Sequence, residues 1–214
     1  KPTILFSLND ENRIFPIKIL YIFDKWIKCD VCYIYIYMSC VQFNWKTKNM
    51  TNYNMIFRQF PEIETERLKL RAFQESDILD YYKMCLAEDY IELFCHNGTY
   101  VSEMDAYNTI MFKYPQSFDE QLDLTWAITL KENGILIGIR DLFIDSPTSP
   151  IETQGYIKAE HRNKGYNQEI INAIITFLRK TDADSLEFSC YSSNHPVIYI
   201  ADKLDFTEIT PFQM

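Results

Sequence analysis

Thr153-Gln-Gly-Tyr-Ile-Lys-Ala-Glu-His-Arg-Asn-Lys-Gly-Tyr-Asn-Gln-Glu169 is the stretch that decides the fold of this chain. Its first half predicts a β-strand over 153–159, and the apolar spacing that follows predicts an amphipathic helix over Gly165–Lys180. A strand that passes through a tight loop into a long helix leaves the first N–H groups of that helix without partners inside it. The helix dipole adds positive potential at the same end, which favours an anion.

Basic residues accompany this helix start. Arg162 and Lys164 supply mobile positive charge, and Gly165 allows a ligand to come close to the backbone. On these grounds the loop is a candidate anion site. The alternative at this point is an ordinary turn between strand and helix whose basic side chains are solvated.

The rest of the pattern predicts a mixed sheet with helices on its faces, an α/β fold. The predicted strands are 67–72, 124–130, 135–139 and 186–191, and Lys131-Glu-Asn-Gly134 predicts a hairpin between the middle two. Further helices are predicted after an N-cap at Ser76-Asp77, after a capping box at Ser102-Glu-Met-Asp105, and over Pro196–Leu204.

Four motifs in this order resemble the GNAT superfamily of N-acetyltransferases, in the branch of the ribosomal-protein N-terminal acetyltransferases (RimJ/RimL-type). They are Ile63-Glu-Thr-Glu-Arg-Leu-Lys-Leu-Arg71, the hairpin from Trp126 to Gly138, the loop Arg162-Asn-Lys-Gly-Tyr166, and the closing element from Asn194 to Lys203-Leu-Asp-Phe206. The resemblance covers about 145 residues. Each motif is weak alone, and their combination carries the assignment.

The resemblance implies a GNAT acyl-CoA N-acyltransferase fold in which the strands at 153–159 and 186–191 splay apart. Acetyl-CoA is then the co-substrate, and an amine attacks its thioester directly. The implied coenzyme-binding residues are Ile157 for pantetheine and, for the diphosphate and nearby groups, Arg162, Asn163, Lys164, Gly165, Tyr166 and Asn167. Asn194 is implied either to contact the coenzyme or to cap the last helix.

The resemblance also implies Glu152 as the catalytic residue that accepts the amine proton, with a solvated carboxylate at a strand end as the alternative. Several residues depart from the family pattern. Asn167 replaces the final small residue of the loop, Val197 and Ala201 replace polar residues on the last helix, and Asp205 replaces a glycine at a site that favours positive φ. These departures keep a second reading open, an acyl-CoA-binding module with weak or no catalysis.

Charge and composition set further expectations. The chain has 21 Lys+Arg and 30 Asp+Glu in 214 residues, which argues against a nucleic-acid partner and suits a small-molecule or peptide amine acceptor. We expect a cytoplasmic protein without a leader or a membrane span, and the sequence leaves a homodimer open. Cys29-Asp-Val-Cys32 lacks the further ligands of a zinc site, so no metal is expected.

A change in character near residue 58 predicts two parts. Residues 1–58 carry 8 Lys+Arg against 4 Asp+Glu, and all five glycines follow them. We expect an N-terminal extension of unknown role at 1–58 and the acetyltransferase domain at 59–214. A scaffold protein that binds a partner through aromatic residues of the extension is a third, weaker reading.

Overall fold

The structure is a computed structural model that describes residues 3–9, 20–22, 39–41, 54–94, 102–144, 150–181, 183, 185–191 and 194–209. The Cys29–Cys32 pair of the sequence analysis lies outside these residues.

From residue 67 onward, the strands and helices that the sequence predicts occur in the predicted order. The strands are β1 (Thr3–Asn9), β2 (Leu20–Ile22), β3 (Ser39–Val41), β4 (Ile63–Glu64), β5 (Leu68–Arg71), β6 (Asp123–Leu130), β7 (Leu136–Phe143), β8 (Ile151–Ile157), β9 (Ser185–Tyr191) and β10 (Thr207–Ile209). The helices are α1 (Asn54–Phe57), α2 (Ile78–Cys85), α3 (Glu88–Phe94), α4 (Glu103–Asn108), α5 (Tyr114–Asp119), α6 (Tyr166–Leu178) and α7 (His195–Lys203). A π-helical turn at Thr109–Lys113 joins α4 to α5, and 3-10 turns precede α2 and α6.

The chain divides into two compact units, and Met50–Glu187 forms the larger one. Its sheet runs β4-β5-β6-β7-β8 with antiparallel neighbours. Beyond β8 the chain crosses over through α6 and begins β9, which is parallel to β8. A parallel pair joined by a helix is the expected consequence of the strand–loop–helix–strand order.

The pairing of β8 with β9 is recorded at Ile151 with Leu186 and at Glu152 with Glu187. Both pairs lie at the beginning of their strands. Further along β8, Gly155 pairs with Arg140 and Ile157 pairs with Gly138 of β7. The separation of the strands at 153–159 and 186–191 stays a prediction.

Lys1–Asn49 and Phe188–Met214 form the second unit. In it β1 pairs antiparallel with β10, with Leu5 opposite Ile209, and β2 pairs with β3. The rings of Phe188 and Phe206 meet at 4.8 Å between centroids. Asp205, just before this contact, has φ of +58°, which confirms the prediction of a left-handed residue there.

Alternation along the strands places two different sets of side chains on the two faces of the larger unit's sheet. One face is packed by α6, with Trp126 edge-on to Phe177 and with Ile170 and Ile174 fully buried. On the other face, Ile139 and Tyr156 join a buried cluster with residues of α2 and α4. The core predicted for α6 is confirmed.

Three predicted boundaries need correction. The strand expected over 153–159 begins at Ile151 and ends at Ile157, because Ile151 is still buried and the chain turns into a 3-10 helix after Lys158. The strand expected at 135–139 continues to Phe143 through two charged residues that interrupt its apolar pattern. The third correction concerns Asp77, which occupies the N-cap position of α2 without a side-chain cap bond and accepts two hydrogen bonds from Arg71 instead.

Candidate active site

The loop between β8 and α6 has two residues in left-handed backbone conformation. Asn163 has φ of +60° and Gly165 has φ of +79°, while helix α6 begins at Tyr166. Glycine adopts this region at no steric cost, and asparagine is several-fold enriched there among other residues. Asparagine at position 163 is therefore compatible with the left-handed backbone of the loop.

Five consecutive backbone N–H groups in this loop, those of Asn163 to Asn167, donate to no acceptor among the residues that the structure describes. We call these five groups the amide cradle. The first backbone bond beyond them runs from Glu169 N–H to the Gly165 carbonyl at 3.1 Å. Because the groups sit at the positive end of a 13-residue helix, they form a site that suits an anion.

Arg67 braces the cradle from the start of β5. Its guanidinium donates to the Lys164 carbonyl at 2.9 Å and lies over the Tyr166 ring, 4.5 Å from the centroid. It also reaches Glu169 of α6, with Nε to Oε2 at 2.8 Å. With its carbonyl held by Arg67, the peptide of Lys164 keeps a fixed orientation, and so does the next N–H in the cradle.

Glu169 has a second set of donors. It accepts the backbone N–H of Arg67 at 2.9 Å and the hydroxyl of Thr65. Partial burial acts to raise the pKa of Glu169, but the hydrogen bonds from Thr65 and Arg67 and the charge of Arg67 outweigh it, so the pKa lies below its ordinary value. Glu169 is therefore a stable carboxylate that fixes the first turn of α6 to the entry of β5.

A further backbone donor, the N–H of Ile157, lies on the edge of β8 that faces away from β7. The Lys158 N–H donates to the Ile137 carbonyl at 2.8 Å, which makes Ile157 and Gly138 a non-hydrogen-bonded pair. The N–H of Ile157 consequently points away from β7, as the sequence prediction requires. It has no acceptor among the described residues.

Arg162, which the resemblance places at the diphosphate, is engaged within the protein. Its Nε donates to the Ile157 carbonyl at 2.8 Å, it forms an ion pair with Asp89 of α3, and it lies 5.0 Å over the Tyr156 ring. The Tyr156 hydroxyl donates to the same Asp89 at 2.8 Å. Burial raises the pKa of Tyr156 to about 12, helped by the hydrogen bond to Asp89 and its charge.

Arg140 was not predicted from the sequence as part of the site. It lies on β7 on the α6 face, is only 5% exposed, and donates from Nη2 to the side-chain oxygen of Asn167. Its Nε has no acceptor among the described residues. Burial lowers its pKa to about 10, although the charge of Asp141 opposes this shift.

The opposite face of the same strands bears two carboxylates beyond its apolar cluster. Asp141 stands between Thr125 of β6 and Gln154 of β8 in the sheet register, and accepts hydrogen bonds from both side chains. Glu152 lies one row further along this face, opposite Phe143, and is exposed. Burial raises the pKa of Asp141 to about 6, against the lowering effects of the two hydrogen bonds and of Arg140.

The remaining predicted residues occupy the loop and the other unit. Lys164 is exposed, and the nearby His161 has a buried Nδ1 that lacks a partner among the described residues. Asn194 is the N-cap of α7, where its carbonyl accepts from Val197 and Ile198 but its side chain makes no cap bond. Ala201 is fully buried in that helix.

Among the residues that the structure describes, no helix is long and apolar enough to cross a membrane. Nowhere in the described part of the chain do three or more His, Cys, Asp or Glu side chains come together in a group able to hold a metal ion.

Comparison with known proteins gives one family and a set of similar structures. Residues 67–207 match the acetyltransferase (GNAT) domain family. Curated proteins give no match. The structure is similar to the ribosomal alpha-N-protein acetyltransferase RimL in complex with coenzyme A, with TM-score 0.59, 14% identity, and coverage of 67% of this chain and 82% of the other.

Two further solved structures share this architecture. A GNAT-family acetyltransferase from Bacillus anthracis has TM-score 0.56 and 19% identity over 67% of this chain and 82% of its own. The Microcin C7 self-immunity acetyltransferase MccE, solved with acetyl-CoA and AMP, has TM-score 0.59 and 15% identity over 66% of this chain and 79% of its own. At such identities the similarity shows the fold.

Proposed function

The chain belongs to the GNAT acetyltransferase family, and from this premise we propose that it transfers an acetyl group from acetyl-CoA to a primary amine by direct attack. The observation that carries the assignment of the site is the amide cradle. Five neighbouring donors at the start of α6, which have no acceptor within the described part of the chain, fit a diphosphate better than any neutral group. The whole segment 59–214 is the proposed catalytic domain.

In this proposal the diphosphate of acetyl-CoA accepts hydrogen bonds from the cradle, and the pantetheine arm extends along the open edge of β8. The N–H of Ile157 is the donor on that edge. A backbone donor earlier in β8, nearer to Glu152 and fixed by the sheet, can also stabilise the oxyanion formed as the thioester carbonyl is attacked. Lys164 adds mobile positive charge. Arg162 adds a second positive charge once its ion pair with Asp89 opens.

The reaction itself needs few groups from the protein. The amine nitrogen forms a bond to the carbonyl carbon, the carbon–sulfur bond breaks, and coenzyme A leaves as a thiolate that takes up a proton. The nitrogen must lose a proton in the same sequence. Most of the rate enhancement comes from holding the two reactants side by side, because this converts a bimolecular reaction into a reaction within one complex.

Glu152 is the proposed acceptor of the amine proton. It is exposed on the face of β8 that also bears Gln154, so it can pass the proton to water. Asp141, on the neighbouring strand of that face, adds negative potential that favours an incoming cationic amine. Both carboxylates lie on the opposite face from Arg140, as the alternation of the strand dictates.

The acceptor that the resemblance favours is a protein N-terminus, as in the RimJ/RimL-type branch, or a small-molecule amine. The similarity to RimL and the acidic face around Asp141 support this choice. The proposed location is the cytoplasm. A module that binds acyl-CoA without turnover is the alternative, and the apolar Ala201 on α7 supports it.

Single-turnover release of the coenzyme A thiol separates the two functions. The protein is mixed with acetyl-CoA and a panel of N-terminal peptides, polyamines and amino sugars, and the thiol is followed together with acetylated product by mass spectrometry. An enzyme gives amine-dependent thiol release with matching product. A protein that binds acetyl-CoA but releases thiol only at the rate of the uncatalysed reaction is a binding module.

A further inference from the structure

Arg140 stands where the two proposed parts of the coenzyme site meet. On one side it touches Asn167 of the cradle, and on the other it packs against Gly155 on the open edge of β8. A Cβ atom at position 155 would lie 2.7 Å from both Cζ and Nε of Arg140, so the guanidinium occupies the space that a side chain there would need. The buried cation Arg140 therefore lies beside both proposed parts of the site.

The chemistry of the two side chains fixes how they face each other. A guanidinium only donates hydrogen bonds, so the Asn167 atom that it contacts must be the carbonyl oxygen Oδ1. The Nδ2 group of Asn167 is then directed away from Arg140. The hydrogen bond from Arg140 is the only one that the Asn167 side chain makes among the described residues, and Nδ2 belongs to the same residue as the last N–H of the cradle.

We infer that Arg140 and Asn167 form a diphosphate-recognition pair, in which buried Arg140 turns the Asn167 side-chain amide so that its NH₂ group donates to the coenzyme. This inference rests on the proposed function. Arg140 acts through Asn167 and is a positioning residue, and Asn167 is the residue that touches the ligand. The departure of position 167 from a small residue thereby becomes an additional donor for the diphosphate.

The unpartnered Nε of Arg140 supports this role. A buried charge whose donors are only partly satisfied is costly to a folded protein unless an opposite charge comes near. Asp141 is the acidic neighbour in sequence, but its side chain is on the opposite face of the sheet. An anion bound at the cradle would supply negative charge on the face to which Arg140 belongs.

Asn167→Asp is the sharpest test, because it changes one NH₂ group to an oxygen at constant shape. The aspartate gives Arg140 a counter-ion and suits the positive end of α6, so the melting temperature without ligand should rise. The second oxygen then faces the diphosphate, and the Kd for coenzyme A, measured by calorimetry, should increase at least about 10-fold. The Kd for pantetheine, which has no diphosphate, should stay within about two-fold of wild type.

Arg140→Lys and Arg140→Met test the other partner with the same two ligands. Arg140→Met should lower the affinity for coenzyme A by about 10-fold or more. Arg140→Lys keeps the charge and should therefore recover part of that loss. If the methionine variant does not fold, the lysine variant decides, because unchanged coenzyme A affinity in it would overturn the inference.

The ligands separate this inference from the proposed function. Coenzyme A that fails to bind the wild-type protein contradicts the proposed function itself. Wild-type binding together with an Asn167→Asp variant that binds coenzyme A equally well overturns only the recognition pair. Equal losses for coenzyme A and pantetheine also overturn it, because they indicate general disruption of the site.

Discussion

Arg67 and Glu169 are separated by 102 residues in sequence and joined by three contacts in the structure. The backbone N–H of Arg67 donates to Oε1 at 2.9 Å, its Nε donates to Oε2 at 2.8 Å, and its Nη2 lies 2.6 Å from Oε2. Because Arg67 also holds the Lys164 carbonyl, this ion pair links the start of β5 to the loop that forms the cradle.

Glu169→Gln tests this link through stability. The substitution removes the charge attraction and weakens the hydrogen bonds, so the free energy of unfolding at pH 7 should fall by about 1 kcal/mol. The pKa of Glu169 lies below its ordinary value in the folded state, so the carboxylate stabilises the fold above pH 4.5 and loses this effect as the pH falls through the folded pKa. Urea unfolding at pH 7 and pH 3 measures both effects.

Glu64→Gln is the matched control, since Glu64 pairs with Lys131 at 3.1 Å on an exposed surface. It should change the free energy of unfolding by less than about 0.5 kcal/mol. Equal losses in the two variants would show that the Arg67–Glu169 ion pair contributes no more to the free energy of unfolding than an exposed ion pair does.

Asp141→Asn should stabilise the protein at alkaline pH. The pKa of Asp141 is raised from 3.8 to about 6 by burial, so the unfolded chain loses this proton at lower pH than the folded protein does. The free energy of unfolding of the wild type therefore falls between about pH 4 and pH 6, and this loss is not recovered at higher pH. Asparagine does not titrate, so its advantage over aspartate should grow by on the order of 2 to 3 kcal/mol from pH 4 to pH 8.

The measurement is urea unfolding of both proteins across that range. The groups that act on Asp141 are Thr125, Gln154, Asp123 and Arg140, and all of them stay in place in the variant. Two stability curves that run parallel from pH 4 to pH 8 would contradict a buried carboxylate with a raised pKa.

The order of elements could be predicted because each depends on local pattern. The helix at α6, the capping box at Ser102 and the hairpin at Gly134 follow from spacing and turn chemistry within a few residues. The end of β7 could not be predicted in this way. Arg140 and Asp141 break the apolar run, and only cross-strand neighbours explain how a strand buries two adjacent charges on opposite faces.

The residues of the candidate site also divide into those that the local sequence predicts and those that it does not. The amides of Asn163 to Asn167 could be predicted, because a glycine-containing loop before a helix fixes them locally. Arg67 and Arg140 could not, since their partners Glu169 and Asn167 are 102 and 27 residues away. One signal was available for Arg140, an Arg-Asp pair inside a strand of Ile and Leu residues, where charges are expected only for a specific reason.

Gly138→Ala should destabilise the sheet strongly. A Cβ atom at position 138 would lie 2.1 Å from the backbone oxygen of Tyr156, so two central strands would have to separate. We expect a loss of about 2 to 4 kcal/mol in the free energy of unfolding. Gly134→Ala is the comparison, because its Cβ meets nothing within 4 Å and only the positive φ of +73° costs about 1 kcal/mol. Similar losses in both variants would contradict the close approach of the two strands at Gly138.

Asp89→Ala tests whether Arg162 exchanges between the protein and the coenzyme. Asp89 holds Arg162 in the structure, and both side chains are more than one-third exposed. If the diphosphate recruits Arg162, removal of this competitor should tighten coenzyme A binding by about 1.5- to 5-fold, and Arg162→Ala should weaken it. Calorimetry with each variant gives the Kd values. Weaker binding in Asp89→Ala would show that Asp89 supports the site through Arg162 or Tyr156.

The most direct test of the amide cradle is a titration of melting temperature with acetyl-CoA in three proteins: wild type, Gly165→Glu and Gly134→Glu. Both glycines are exposed and have positive φ, +79° and +73°, so the two variants share the same strain and added charge. Ligand that binds the folded state must raise its melting temperature by mass action. Wild type and Gly134→Glu should show this rise and Gly165→Glu should not. No rise in wild type at saturating acetyl-CoA, or an undiminished rise in folded Gly165→Glu, would contradict coenzyme binding at the start of α6.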